Sequence, residues 1–115
     1  MGMGVERIWR EIWTFISFRT GGIEPLHQVE VGRDYVKITV DLPGVRKEDV
    51  KLEISELAVR LEAVCSIAGE GICYKKEIEL PVEVDPSGAK AKLRAGVLEI
   101  IVPIKGRKFQ SVKVE

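Results

Sequence analysis

The sequence predicts an all-β fold, an antiparallel β-sandwich. From Leu26 onward apolar and polar residues alternate with a period of two, the spacing of a half-buried strand. The alternating runs are short, roughly seven in number, and each stops at a turn-forming residue, as in a two-sheet sandwich. The chain has 115 residues, 45% of them apolar and 31% charged, which suits one folded domain with short extensions.

Before the alternation starts, residues 5–18 follow a helical spacing. Trp9, Trp13 and Ile16 fall at i, i+4 and i+7, and Ile8, Ile12 and Phe15 fall on an adjoining line. Arg7, Arg10 and Glu11 interrupt them, leaving a broad aromatic face. Gly21-Gly22 ends the pattern and Pro25 prevents its return. A helix this short needs something to lie on. Three supports are open: its own domain, another protein or copy, or a membrane surface. The division expected is an amphipathic segment 1–24, a sandwich 25–104 and an extension 105–115.

Within the sandwich, Leu26 to Val31 is the first strand expected. Tyr35 to Asp41 alternates cleanly, with Val36, Ile38 and Val40 on one face, until Leu42-Pro43-Gly44 breaks it. Lys47-Glu48-Asp49 is a solvated turn before Val50, Leu52 and Ile54. Ser55-Glu56 precedes a run in which Leu57, Val59, Leu61 and Ala63 face inward. Ser66 to Gly71 connects it to Ile72, Tyr74, Lys76, Ile78 and Leu80. After the turn Asp85-Pro86-Ser87-Gly88 come Ala89, Ala91 and Leu93. Arg94-Ala95-Gly96 then leads to Leu98, Ile100 and Val102, and Pro103 stops the strand. Ile101 falls on the outward face beside Glu99, either alone or under a cover.

The end of the chain is informative. Val112-Lys113-Val114 hangs on the polar tether Lys105-Gly106-Arg107-Lys108. In an extended strand both valines point to one face. A free end cannot bury them by itself, but a groove on another molecule can. That pattern suggests a self-assembling part.

Several chemistries are disfavoured. Eighteen basic residues balance eighteen acidic ones, so no basic excess drives nucleic-acid binding. Ile12 to Phe18 is too short to span a bilayer, and Glu11 spoils a signal peptide. The chain reads as cytoplasmic. His27 is its sole histidine and no G-x-S-x-G elbow accompanies it. Cys65, Cys73 and His27 lack metal-ligand spacing, and Gly69-Glu70-Gly71 lacks the lysine of a phosphate loop. No catalytic site, metal or cofactor is expected. A hairpin centred on Gly69 would set Cys65 and Cys73 across from each other, within disulfide reach; the alternative is two buried, reduced thiols.

Four stretches resemble one family. Asp41-Leu42-Pro43-Gly44-Val45-Arg46-Lys47-Glu48-Asp49-Val50 looks like the D-L-P-G-V-x-K-E-D-[IV] turn of small heat-shock proteins with an α-crystallin domain. Tyr74-Lys75-Lys76-Glu77-Ile78-Glu79-Leu80-Pro81 is similar to F-x-R-x-F-x-L-P, and Ala91 to Leu98 to A-x-x-x-N-G-V-L. Val112-Lys113-Val114 resembles the Ile/Val-x-Ile/Val tail. The matches run in the family's order across residues 26–114. Ala95 stands where the family has asparagine, and Lys76 where it has arginine.

The resemblance implies an immunoglobulin-like sandwich in which strands 50–54 and 89–93 border a hydrophobic groove. The groove residues would be Val50, Leu52 and Ile54 with Ala89, Ala91 and Leu93, unless these are plain core. Val112 and Val114 would be the oligomerisation tail. It also implies an ATP-independent holdase whose partners are unfolded client proteins and copies of itself, without stable membrane insertion. Client contacts would fall on Ile8, Trp9, Ile12, Trp13, Phe15 and Ile16. In archaeal, bacterial and plant relatives a long loop carries a strand that swaps between subunits. Ser66 to Gly71 cannot supply one, so edge pairing of strand 72–80, tail linkage or a monomer is expected instead. The other function that the resemblance leaves open is a co-chaperone or adaptor of the CS-domain type.

Overall fold

Alternation builds the central strands. In a computed structural model of the chain, residues 23–67, 69–106 and 111–115 are described. Strand β1 is His27–Val31, β2 is Tyr35–Asp41, β3 is Val50–Ile54 and β4 is Ala58–Ile67. Strand β5 is Glu70–Glu79, β6 is Lys90–Arg94 and β7 is Val97–Pro103. They form two antiparallel sheets, ordered β1-β2-β7-β6 and β3-β4-β5. The expected all-β sandwich is what the chain adopts. The residues of the helical pattern at 5–18 lie outside the described ones.

In the first sheet Val36, Ile38 and Val40 stand opposite Val102, Ile100 and Leu98. In the second, Val59, Leu61 and Ala63 project from β4 between the flanking strands. All nine are buried, and with Leu42, Val84 and their neighbours they make one core. Burying a side chain of the valine or leucine class gains roughly 1.5–3 kcal/mol. This inter-sheet contact therefore fixes the register, because a one-residue slip would turn each set to solvent.

The turns lock the layers together. Ala95 and Gly96, at φ +50° and +78°, form the two-residue link between β6 and β7. Both residues in the left-handed region is the signature of a type I′ hairpin. A Cβ on Gly96 would come within 3.2 Å of the Pro43 Cα. The Tyr74 hydroxyl donates to the Pro43 carbonyl at 3.4 Å. Three of the motifs read from the sequence therefore meet around Pro43.

Some expectations need correction. Cys65 stands opposite Ile72 and Cys73 opposite Val64. The two cysteines are one register step apart, so their side chains leave opposite faces of the hairpin. Both cysteines are buried. A cross-strand pair requires a turn centred on Gly69; the strands instead run on to the pair Ile67–Glu70, which centres the turn before that glycine. Leu57 does not face inward but lies exposed before β4 begins. Leu26 likewise precedes β1 and is exposed.

Ile23 supplies a contact that alternation gives no sign of. Its N–H donates to the Cys73 carbonyl at 2.8 Å, and the Lys75 N–H donates to its carbonyl at 3.0 Å. This is a parallel bridge on the free edge of β5. Pro25, two residues later, has no N–H to extend it. The chain then crosses to the other sheet, where the Asp41 N–H donates to the Leu26 carbonyl.

Candidate docking cleft and tail

On the flank opposite Ile23 the two sheets gape. Strands β3 and β6, edge strands of different sheets, border a cleft of about 180 Å³. It is lined by Lys47, Val50, Leu52, Ala91, Leu93 and Leu98. Val50 and Leu52 alternate on the inward face of β3, while Ala91 and Leu93 do so on β6. The hollow exists because Ala91 is a single methyl where a longer side chain would close the gap. Val50, Leu52 and Leu93 are half-buried, packed against the core on one side and open on the other.

Four of the six expected groove residues thus line one cleft. Ile54 lines a separate shallow depression with Glu53, Ser55, Ala58, Arg60 and Glu77. Ala89 packs half-buried against the core, beside the end of the 3-10 turn Pro86–Gly88. Lys47 and Leu98 also line the cleft, and neither stands out in the sequence. The alternation of β7 marks Leu98 only as core, which it also is, since it floors the cleft from that strand. Lys47 belongs to a solvated turn, and the folding of that turn over the start of β3 brings it to the mouth.

The tail is the complementary half. The start of the extension is pinned to the sandwich: the Lys105 N–H donates to the Glu83 carbonyl at 3.0 Å, and its Nζ donates to Glu56 Oε1 at 2.7 Å. That hydrogen bond raises the Lys105 pKa, aided by the Glu56 charge. Beyond it Val112 and Val114 are 80% and 92% exposed. None of residues 111–115 lines the cleft of the same chain.

Groups with altered proton affinity support structure here. Burial pushes the Cys65 thiol up, and the Asp49 charge adds to this. Burial also raises Tyr74, with Cys65 nearby. Such shifts disfavour a thiolate nucleophile. Among the described residues no three His, Cys, Asp or Glu side chains gather to hold a metal. No described helix is long and apolar enough to cross a membrane.

Residues 28–115 match the family model for the Hsp20/alpha crystallin family. The chain belongs to that family. Its members are the small heat-shock proteins, chaperones rather than enzymes. Among relatives, the chain is 40% identical over 70 residues to the 15.4 kDa class V heat shock protein of Arabidopsis thaliana, covering 56% of this chain and 52% of that one. Among solved structures, heat shock protein 16.0 from Schizosaccharomyces pombe superimposes with a TM-score of 0.67 at 22% identity, covering 81% of this chain and 78% of that one. A point mutant of hsp14.1 from Sulfolobus gives a TM-score of 0.67 at 22% identity over 99% of both chains. These structures confirm the α-crystallin sandwich. The chain spans about half the length of the curated relatives it first matches, 52%, 37% and 47%. Relatives of the small heat-shock family here include mitochondrial, chloroplastic and peroxisomal proteins. Sequence likeness therefore does not fix the expected cytoplasmic location.

Proposed function

We propose that the protein is an ATP-independent holdase, which binds partly unfolded proteins and suppresses their aggregation under stress. The observation that supports it is the pairing of an open apolar cleft with an exposed valine pair on the same chain. A plug and a socket that do not meet within one molecule suit contact between molecules. Copies associate as Val112 and Val114 enter the β3–β6 cleft of a neighbour, and clients compete for the apolar surface that opens when the tail leaves.

The energetics suit a gate. Burying two valines gains roughly 1.5–3 kcal/mol each. Ordering about four backbone residues costs roughly 1–2 kcal/mol each. The two nearly cancel, so a single tail grips weakly and an assembly holds by effective concentration. Warming releases tails first. The aromatic face at Ile8, Trp9, Ile12, Trp13, Phe15 and Ile16 serves as a further client contact in this reading.

The test is turbidity of a heat-aggregating client protein without ATP. The full chain at near-stoichiometric ratio should hold turbidity down. Unchanged client aggregation would reject the holdase reading. The second reading is a CS-domain-type adaptor. It is favoured by the tight β4–β5 hairpin, which lacks a swapping strand, and it predicts no suppression of turbidity.

A further inference from the structure

Among the described residues the sandwich has four edge strands, β1 and β6 in one sheet and β3 and β5 in the other. An unguarded edge is a template for another strand. Three of these edges are guarded. Ile23 occupies the middle of the β5 edge through its bonds to Cys73 and Lys75. The β6 edge carries Lys90, Lys92 and Arg94 on one face, so pairing with its own copy would set cation against cation. The β3 edge borders the cleft assigned to the tail, a step that rests on the proposed tail docking.

Strand β1 is left, with the sequence His27-Gln28-Val29-Glu30-Val31. It holds no lysine and no proline, the usual guards of an edge. Leu26, just before the strand, and Val31, its last residue, are 77% and 46% exposed. The Asp41 N–H bonds the Leu26 carbonyl and the Gly32 N–H bonds the Tyr35 carbonyl. Because antiparallel bonding alternates, Gln28 and Glu30 bond β2, while His27, Val29 and Val31 aim their backbone groups outward.

We propose that β1 is the edge through which two copies of this chain pair, antiparallel about a two-fold axis at Val29. In that register His27 faces the partner's Val31, Val29 faces the partner's Val29, and Gln28 faces the partner's Glu30. The outward N–H and C=O groups of His27, Val29 and Val31 all find partners. No like charges oppose each other, and a glutamine amide meets a carboxylate on the solvent face. On the inward face Val29 meets the partner's Val29, and Val31 lies against the partner's His27 ring. The two four-stranded sheets become one continuous sheet of two copies. This joins chains that carry no strand to exchange between β4 and β5, which meet in a tight turn.

The experiment uses the full chain and the chain lacking residues 112–115, followed by light scattering on a sizing column over a dilution series. Both should contain a pair. Gln28→Glu sets two carboxylate pairs across the axis and should raise the dissociation constant of that pair roughly tenfold. Adding Glu30→Lys to it should restore pairing, because each introduced carboxylate then faces an ammonium group. His27→Pro removes an outward N–H at the first strand position, where proline is tolerated, and should also weaken pairing. Gln28→Cys with Glu30→Cys should form an intermolecular disulfide on mild oxidation. Circular dichroism checks that each variant folds. The proposal is overturned if Gln28→Glu and His27→Pro dissociate like the parent, or if the folded double-cysteine chain gives no cross-linked pair. A truncated chain that is monomeric throughout also overturns it, while leaving the tail reading intact. If truncation changes no assembly but Gln28→Glu still splits pairs, tail docking fails and β1 pairing stands.

Discussion

The Leu42 N–H donates to the Gly96 carbonyl at 2.7 Å. One hydrogen bond thus joins the Pro43 turn to the β6–β7 hairpin, two segments far apart in the chain. The hairpin closes the sheet that carries Ala91 and Leu93, and the turn leads into β3. Their contact holds the end of the cleft at which Lys47 and Val50 lie.

The Gly96 position admits little else. At φ +78°, with Pro43 Cα 3.2 Å from where a Cβ would stand, a β-branched residue is strained and crowded at once. Gly96→Val should destabilise the fold by about 2–3 kcal/mol, read by urea denaturation. Ala95, at φ +50°, is the opposite case: a residue already in an unfavourable conformation. Ala95→Asn should stabilise by up to about 1 kcal/mol, because asparagine visits this region more readily.

The core prediction is simpler. Leu61 is fully buried between β3 and β5 in the middle of its sheet. Leu61→Ala should cost about 2–5 kcal/mol in the same assay. A loss under about 1 kcal/mol would mean that the sheets can collapse onto the cavity.

These positions show what the sequence can disclose. Strands β2 and β7 are legible because both alternate strictly, and their inward residues form the centre of the core. The alternating run Tyr35 to Asp41 is β2, residue for residue. The cleft is legible only through resemblance: alternation puts Val50 and Leu93 on inward faces but says nothing about a gap between sheets. That gap comes from relative placement of two edge strands, a long-range property. Ile23 is invisible because a parallel bridge needs a single residue, with no period to detect. The cysteines are misplaced by sequence reasoning because one step of register reverses a side chain, and the turn is tighter than its composition suggests.

Asp85 gives a pH-dependent prediction. Its carboxylate accepts from the Ser87 hydroxyl at 2.6 Å and from the Ser87 N–H at 3.1 Å. The side-chain bond first, then the backbone bond, hold its pKa below the ordinary 3.8. A lowered folded value means the charged form is favoured by folding. Its contribution is complete above the ordinary value and fades as pH falls through the lowered one. Asp85→Ala should therefore be less stable than the parent by a constant gap at neutral pH. The gap should narrow below pH 3.8. Thermal melts from neutral to strongly acidic pH would check this, and a pH-independent gap would assign the effect to packing instead.

Ala91 tests the cleft independently of the tail. Its methyl lines the hollow and is solvent-exposed, so Ala91→Phe should fold normally while filling about the volume a valine would take. The variant should form smaller assemblies than the parent on a sizing column, with melting temperature changed by no more than a few degrees. Unaltered assembly would place tail docking elsewhere.

The most direct measurement is the mass of the intact assembly, by native mass spectrometry, of the full chain against a chain truncated after Ser111. Removing Val112 and Val114 should reduce a higher assembly to pairs at equal concentration. If both species show the same subunit number at every concentration, the valine pair is not a plug for a neighbour's β3–β6 cleft, and the gating account is wrong.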